Sequence, residues 1–374
     1  MSIAFTQEHD DLRESTRRFL EQRSSTQDLR RLMESQHTYD PAVWEQLAQQ
    51  LGLPGIAIPE EYGGSGYGII EQVIILEEMG RALLSAPYFS SVILAATALL
   101  ESGDEAACRE LLPGIADGST VATLAWVEKL GAWDATARID ASATPTADGW
   151  SLTGHKTLVL DGTTASLVLV VANTPAGPSL FAAVPGTAGV TSRLLKTLDS
   201  TRAFADIEFD GTPVRLIGAD GAAGAILERT LQIAAVALAA EQIGTAERCL
   251  QISIDYSKLR IQYGRPIGSF QALKHRFVDL LLEIETAKSA TYHAAAAAAA
   301  DDPELPLVSS MAKASASDAL VHTASEMIQF HGGIGFTWEH DAHLYFRRAK
   351  ITEQFLGSPQ MHREVVAGLL LGVS

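Results

Sequence analysis

Tyr256-Ser257-Lys258-Leu259-Arg260-Ile261-Gln262-Tyr263-Gly264-Arg265-Pro266-Ile267-Gly268-Ser269-Phe270-Gln271 is the stretch on which the reading of this chain turns. A long helical pattern runs into it and stops at Gly264, a basic Pro-Gly loop follows, and a new helix opens near Gln271. Arg260 and Arg265 flank the break, and backbone N–H groups are left free at the next helix N-terminus. That arrangement suits a phosphate or pyrophosphate. It equally suits a helix C-terminus whose dipole is neutralised by arginine, and spacing alone leaves both readings open.

Downstream lies Gln329-Phe330-His331-Gly332-Gly333-Ile334-Gly335-Phe336-Thr337-Trp338-Glu339-His340. Its glycines, set between two helical patterns, permit close backbone approach to a ligand, with Gln329 at the preceding helix end; they also serve as plain turns. Around both stretches a 3.6-residue period covers 224–258, 268–300, 304–331 and 339–371. The run Ala294–Ala300 suits a helix end, stopped by Asp301-Asp302-Pro303.

From about residue 119 the period differs. Short apolar or alternating runs at 121–127, 149–154, 156–160, 166–172, 180–184 and 203–210 are separated by turn residues, which predicts a small antiparallel sheet domain. The first third is helical again. Thr6 precedes an acidic first turn, Pro41 opens a second helix, a break spans Pro59–Gly66, and further helical runs cover 69–84 and 91–112. The expected plan is α+β with domains 1–118 (helices), 119–222 (β-barrel) and 223–374 (helical bundle).

Of the 374 residues 47% are hydrophobic, enough to build packed cores. With 28 basic against 45 acidic side chains the net charge is −17, which argues against a nucleic-acid partner or an anionic membrane surface. Cys108 and Cys249 are too few for a disulfide framework or a zinc site, so a reducing, cytoplasmic setting is expected. No 18-residue uninterrupted apolar run predicts a membrane span, and the first residues lack the order of a secretion signal. His331, His340, His343 and His362 match no metal-ligand pattern.

Taken together, the two loops, in this order and at this distance, resemble both signature regions of the acyl-CoA dehydrogenase family. Pro59-Glu60-Glu61-Tyr62-Gly63-Gly64 looks like that family's N-terminal loop, and the likeness covers essentially the whole chain. The resemblance implies an N-terminal helical domain, a middle antiparallel β-barrel and a C-terminal four-helix bundle, assembled as a tetramer. It implies FAD, an acyl-CoA substrate undergoing α,β-dehydrogenation, and electron-transfer flavoprotein as acceptor. By position Arg260, Tyr263 and Gln271, with Gln329, Gly332 and Gly333, would contact a neighbouring subunit's FAD. Ser358 and Gln360 stand where the family makes polar contacts in its own site.

The chain departs from that family where it matters most. Arg347-Arg348-Ala349-Lys350-Ile351-Thr352-Glu353-Gln354-Phe355-Leu356-Gly357-Ser358 replaces an Arg-Asp-Ala to Tyr-Glu-Gly-Thr pattern, so the base position holds Leu356. The alternative base position on an earlier helix falls at Ala234. Glu241 lies seven residues on, roughly the same face but about 10 Å further along. It is either a displaced base with a raised pKa or a structural carboxylate paired with an arginine. The family's Thr-Glu-Pro-Gly loop is replaced by Ala125-Trp126-Val127-Glu128-Lys129-Leu130-Gly131, and its Trp-Ile-Thr by Leu158-Val159-Leu160. Three expectations result: an acyl-CoA dehydrogenase with a relocated base, a non-catalytic subunit of a hetero-oligomeric enzyme acting on fatty or steroid-like acyl-CoA, or a repurposed flavin oxygenase.

Overall fold

The computed structural model describes residues 5–35, 37–129, 133–135 and 138–372. In chain order the elements are α1 (Gln7–Arg23), α2 (Thr26–Glu34), α3 (Pro41–Gln49), α4 (Ile69–Arg81), α5 (Thr97–Glu101) and α6 (Glu105–Ala116). The strands β1 (Ala122–Ala125), β2 (Ser142–Thr146), β3 (Gly149–Leu160), β4 (Leu167–Thr174), β5 (Gly177–Ala183), β6 (Val190–Leu194) and β7 (Phe204–Ile217) follow. Then come α7 (Ala223–Leu259), a hairpin of β8 (Ile261–Gln262) and β9 (Arg265–Pro266), α8 (Gln271–Ala299), α9 (Leu305–His331), α10 (Ala342–Gln354) and α11 (Pro359–Leu371). Helices, a β region and helices therefore succeed one another as the α+β reading requires. The chain divides into two compact units: Met1–Arg30, Ile69–Leu84 and Ala235–Ser374 form the first, Arg31–Gly68 and Ser85–Ala234 the second.

In the second unit β4, β2, β3, β7 and β5 close a ring, because β5 pairs back onto β4. Strands β1 and β6 extend from β4 and β7. The sheet is not purely antiparallel: β1–β4 and the single β2–β4 pairing are parallel. Strands β2 and β6 escaped the sequence pattern because they are mostly exposed and carry no apolar alternation. The two runs at 149–154 and 156–160 are one strand, β3, with register shifts on either side of Gly154–Lys156. Leu152, Val168, Val170, Phe181, Ile207 and Phe209 fill the interior. The expected helix over 91–112 is also corrected. A π-helical segment (Phe89–Ala96) leads into α5, and Asp104 caps a separate α6 by accepting from Ala107 N at 3.0 Å.

In the first unit α4 and α7 cross at two glycines. A Cβ on Gly244 would sit 1.8 Å from the Glu77 carbonyl oxygen, and one on Gly80 would sit 2.0 Å from that of Glu241. Only hydrogen at both positions lets the two backbones approach so closely. Gly244→Ala should therefore cost about 1–3 kcal/mol by overpacking, read as a lower urea midpoint at unchanged slope. By length and composition α7 could cross a membrane (mean hydropathy 1.4 over its most apolar window), but 61% of that window is buried inside the protein. The single helix expected over 339–371 is broken. Leu356 (φ 61°) and Gly357 (φ 103°) make a turn, and Ser358 restarts the chain as the cap of α11.

Candidate functional site

The stretch from Tyr256 to Gln271 folds as the end of α7, a tight hairpin and the start of α8. Tyr263 and Gly264 both take positive φ (52° and 75°), the geometry of a two-residue hairpin turn that matches strand twist. Arg260 is exposed, and its carbonyl accepts from Ile267 N at 2.8 Å, so the hairpin folds back beside it. Tyr263 is 91% exposed at the tip. The Arg265 guanidinium lies over the Phe270 ring, 4.1 Å from its centroid. Gln271 is the first residue of α8, whose preceding residue, Phe270, offers no side-chain cap.

The glycine loop joins this segment. His331, the last residue of α9, stacks on Tyr256 of α7 (centroids 4.3 Å) and on His340 (4.2 Å). Phe277 of α8 meets Phe330 of α9 at 4.5 Å. These contacts bring Arg260, Tyr263 and Gln271 to the same end of the bundle as Gln329, Gly332 and Gly333, which are exposed with nothing within 4 Å of a Cβ placed on either glycine. Exposed cations, uncapped N–H groups and open glycine backbone form a surface half-site suited to an extended polyanion. Burial first, and then the His340 charge, hold the His331 imidazole below its ordinary value, against the pull of its bond to the Met327 carbonyl.

Ser358 and Gln360 belong elsewhere. The Ser358 hydroxyl caps α11 by accepting from Met361 N at 3.2 Å, and Gln360 is exposed on the first turn. Beneath them lies a buried lysine that sequence reasoning missed. Lys313 of α9 is 0% exposed and donates to Ser317 Oγ (2.8 Å), Gly357 O (3.1 Å) and Glu353 O (3.3 Å). His362 Nε2 donates to Leu356 O at 2.9 Å. Gln242 of α7 completes the network through Ser317 (3.0 Å) and Thr352 O (3.0 Å). The signal was a lone lysine among the small residues of 311–319. Lys313 and Gln329 are 16 residues apart on one helix, about 24 Å at 1.5 Å per residue. The two sets of candidate residues are thus set apart along α9.

Burial drives the Lys313 ammonium down to about 7, against the attraction of Glu353 and Asp318. Burial and the Lys313 charge bring His362 to about 4, against its bond to Leu356 O. Together they hold the Leu356–Gly357 turn from below. The Leu356 side chain is buried, 4% exposed, and carries no acid–base function. Glu353 points away and bonds the Lys350 ammonium.

Glu241 sits two turns into the first unit's share of α7 at 4% exposure, and accepts from Arg348 Nη1 of α10 at 3.0 Å. Arg348 is itself 1% exposed and also donates to Leu84 O at 3.5 Å. A carboxylate so matched to a buried guanidinium is oriented toward α10. Of the two readings of Glu241, this is the geometry of the structural one.

In the second unit the segment replacing the Thr-Glu-Pro-Gly loop is tied inward. Lys156, buried in β3, bonds Glu128 Oε1 at 2.5 Å, and Trp126 Nε1 donates to Trp133 O at 3.2 Å. Leu158 has positive φ (53°) at an irregularity of the β3–β7 pairing. Val127 and Leu160 are buried, and neither offers a hydroxyl. Leu130 and Gly131 lie outside the described residues. Among the described residues no three His, Cys, Asp or Glu side chains converge as metal ligands.

Comparison with known proteins gives the following. Residues 6–119 match the family profile described as "Acyl-CoA dehydrogenase, N-terminal domain", and residues 223–371 match "Acyl-CoA dehydrogenase, C-terminal domain". The acyl-CoA dehydrogenase IpdE2 of Mycolicibacterium smegmatis is 34% identical over 356 residues, covering 95% of this chain and 96% of that protein. Among solved structures, a variant of the steroid ACAD Tcur3481-Tcur3483 superposes with a TM-score of 0.88 at 33% identity, covering 98% of each chain. The ChsE4-ChsE5 complex from Mycobacterium tuberculosis does so at 0.90 and 29%, covering 100% of each.

Proposed function

The chain belongs to the acyl-CoA dehydrogenase family of flavoprotein oxidoreductases, and on that premise we propose that it works as the base-less subunit of a two-component enzyme. The family's reaction is the FAD-dependent α,β-dehydrogenation of an acyl-CoA thioester. Bound FAD would supply the hydride acceptor. The protein must supply geometry, an oxyanion contact and a carboxylate that removes the α-proton. The observation that carries the proposal is Leu356: the turn is built and held by Lys313 and His362, yet presents a hydrocarbon. Glu241, the remaining candidate base, is neutralised by Arg348.

The residues fit FAD unequally. At the hairpin end, Arg260, Tyr263, Gln271, Gln329, Gly332 and Gly333 offer what a pyrophosphate and adenosine require, and we assign them to a partner subunit's cofactor. In the barrel, Val127 and Leu160 offer a flavin no hydroxyl, and in the first unit we assign Ser358 and Gln360 to polar contacts with FAD. A partner retaining the glutamate would complete the enzyme as a heterotetramer. Support comes from the similarity to chains of the Tcur3481-Tcur3483 steroid ACAD and of the ChsE4-ChsE5 complex. The first of these names favours a bulky, steroid-like acyl-CoA. We further assign the chain three domains (1–118, 119–222 and 223–374), a cytoplasmic location and electron-transfer flavoprotein as acceptor.

Co-expression with a homologous subunit bearing glutamate at the turn tests the proposal. Purified alone, the chain should lack flavin absorbance; the complex should hold FAD and reduce a dye with acyl-CoA. Glutamine at the partner's glutamate should lower turnover per flavin by about 10²–10⁴, whereas Glu241→Gln in this chain should change it by less than about threefold. A yellow, active chain on its own, silenced by Glu241→Gln, would establish the relocated-base reading instead.

A further inference from the structure

Apart from both sets of candidate residues, the first unit holds a cavity of about 230 Å³ bounded by α1, the α1–α2 turn, α4, α7 and α10. Three arginines line it, Arg17, Arg81 and Arg248. Arg17 is engaged: its Nε and Nη2 bind the Glu78 carboxylate at 2.8 and 2.7 Å, and Arg13 reaches the same group at 3.4 Å. Among the described residues no carboxylate closes an ion pair with Arg81 or Arg248. Arg248 lies beside the Tyr345 hydroxyl, which donates to the Arg81 carbonyl at 3.3 Å. The other acid on the wall, Glu21, is exposed on α1.

In a chain of net charge −17, two like charges are thus held together in a half-buried cavity without a counter-ion of their own. Burial, and then the charges of Arg17 and Arg248, hold the Arg81 guanidinium below its ordinary value, while Glu78 and Glu247 attract it without contact. Like-charge pairing of this kind is unfavourable unless an anion joins it. The α2 N-terminus beside the cavity is already capped, with Asp28 N donating to Ser25 Oγ at 3.2 Å, so the arginines are the principal donors. Ser24 and Thr26 add hydroxyls to the wall. At about 230 Å³ the space is smaller than the roughly 300–1,000 Å³ of a pocket for a drug-sized ligand.

We propose that this cavity binds a small phosphate-bearing ligand between Arg81 and Arg248. Guanidinium forks match phosphate oxygens in charge and geometry. An occupant would tie α4, α7 and α10 together, the last two of which also carry the Glu241–Arg348 pair.

Titration of the full-length chain with inorganic phosphate at constant ionic strength tests this by calorimetry and by thermal unfolding. Saturable one-to-one binding and a raised Tm are expected. Arg81→Gln and Arg248→Gln, each checked for wild-type circular dichroism, should weaken binding about tenfold or more, because each removes a charge-assisted bond. Arg81→Lys, which keeps the charge but not the fork, should weaken it less. Arg265→Gln, in the hairpin half-site, should leave it unchanged. Absence of saturation, retention of binding in both arginine variants, or its loss in Arg265→Gln would overturn the proposal. None of these outcomes bears on the two-component reading, which rests on flavin content and turnover.

Discussion

Glu241→Ala should destabilise the protein by about 3–5 kcal/mol, among the largest single-residue effects in the molecule. The substitution leaves the Arg348 guanidinium, 1% exposed, without the carboxylate 3.0 Å away that balances it. Glu241→Gln should cost less, because the amide oxygen still accepts a bond although the charge is gone. The double variant Glu241→Met with Arg348→Met should recover most of the loss, since removing both partners strands no charge. Urea midpoints of the four proteins check this. Non-additivity of about 2 kcal/mol or more marks a structural pair. Additive losses, with Glu241→Ala near neutral, would mean that Arg348 does not depend on Glu241.

Stability should also depend on pH through the buried pair beneath the Leu356 turn. The folded value of Lys313, about 7, lies below the ordinary 10.5 of a lysine, so between those values the unfolded chain binds the extra proton. Stability is therefore fully present above about 10.5 and is lost as pH falls through 7, by on the order of 5 kcal/mol. His362 acts likewise between 6.5 and about 4, by on the order of 3 kcal/mol. The groups facing this pair are few: Ser317 and Asp318 on α9, Glu353 and the Gly357 and Leu356 carbonyls at the end of α10. The measurement is the difference between wild type and Lys313→Met from about pH 4 to about pH 10.5, the span of the two windows. The wild-type rise with pH should flatten in the variant, and His362→Gln should flatten the acid limb alone. Equal slopes in wild type and Lys313→Met would show that the lysine stays charged throughout.

Much of this architecture was legible in the sequence. Period 3.6 on either side of period-2 runs gave helices, sheet and helices, and the glycine and arginine loops, singled out in the sequence, lie together at one end of the bundle. What escaped has a common cause. Strands β2 and β6 are exposed and show no alternation. The break at Leu356–Gly357 needs a leucine at positive φ, a conformation that local preference opposes and that the tertiary bonds from Lys313 and His362 sustain. Glu241 as base or as structural acid was undecidable on its own helix, because its partner lies 107 residues away on α10.

The sequence by itself therefore determined the family and the order of the layers, since these depend on residue identity and local period. Only the tertiary structure decided what the surviving charges do. It set Arg348 against Glu241, placed Lys313 under the Leu356–Gly357 turn, and lined one cavity with Arg81 and Arg248. Such pairings depend on which helices cross and how closely, and at α4 and α7 that distance is set by Gly80 and Gly244.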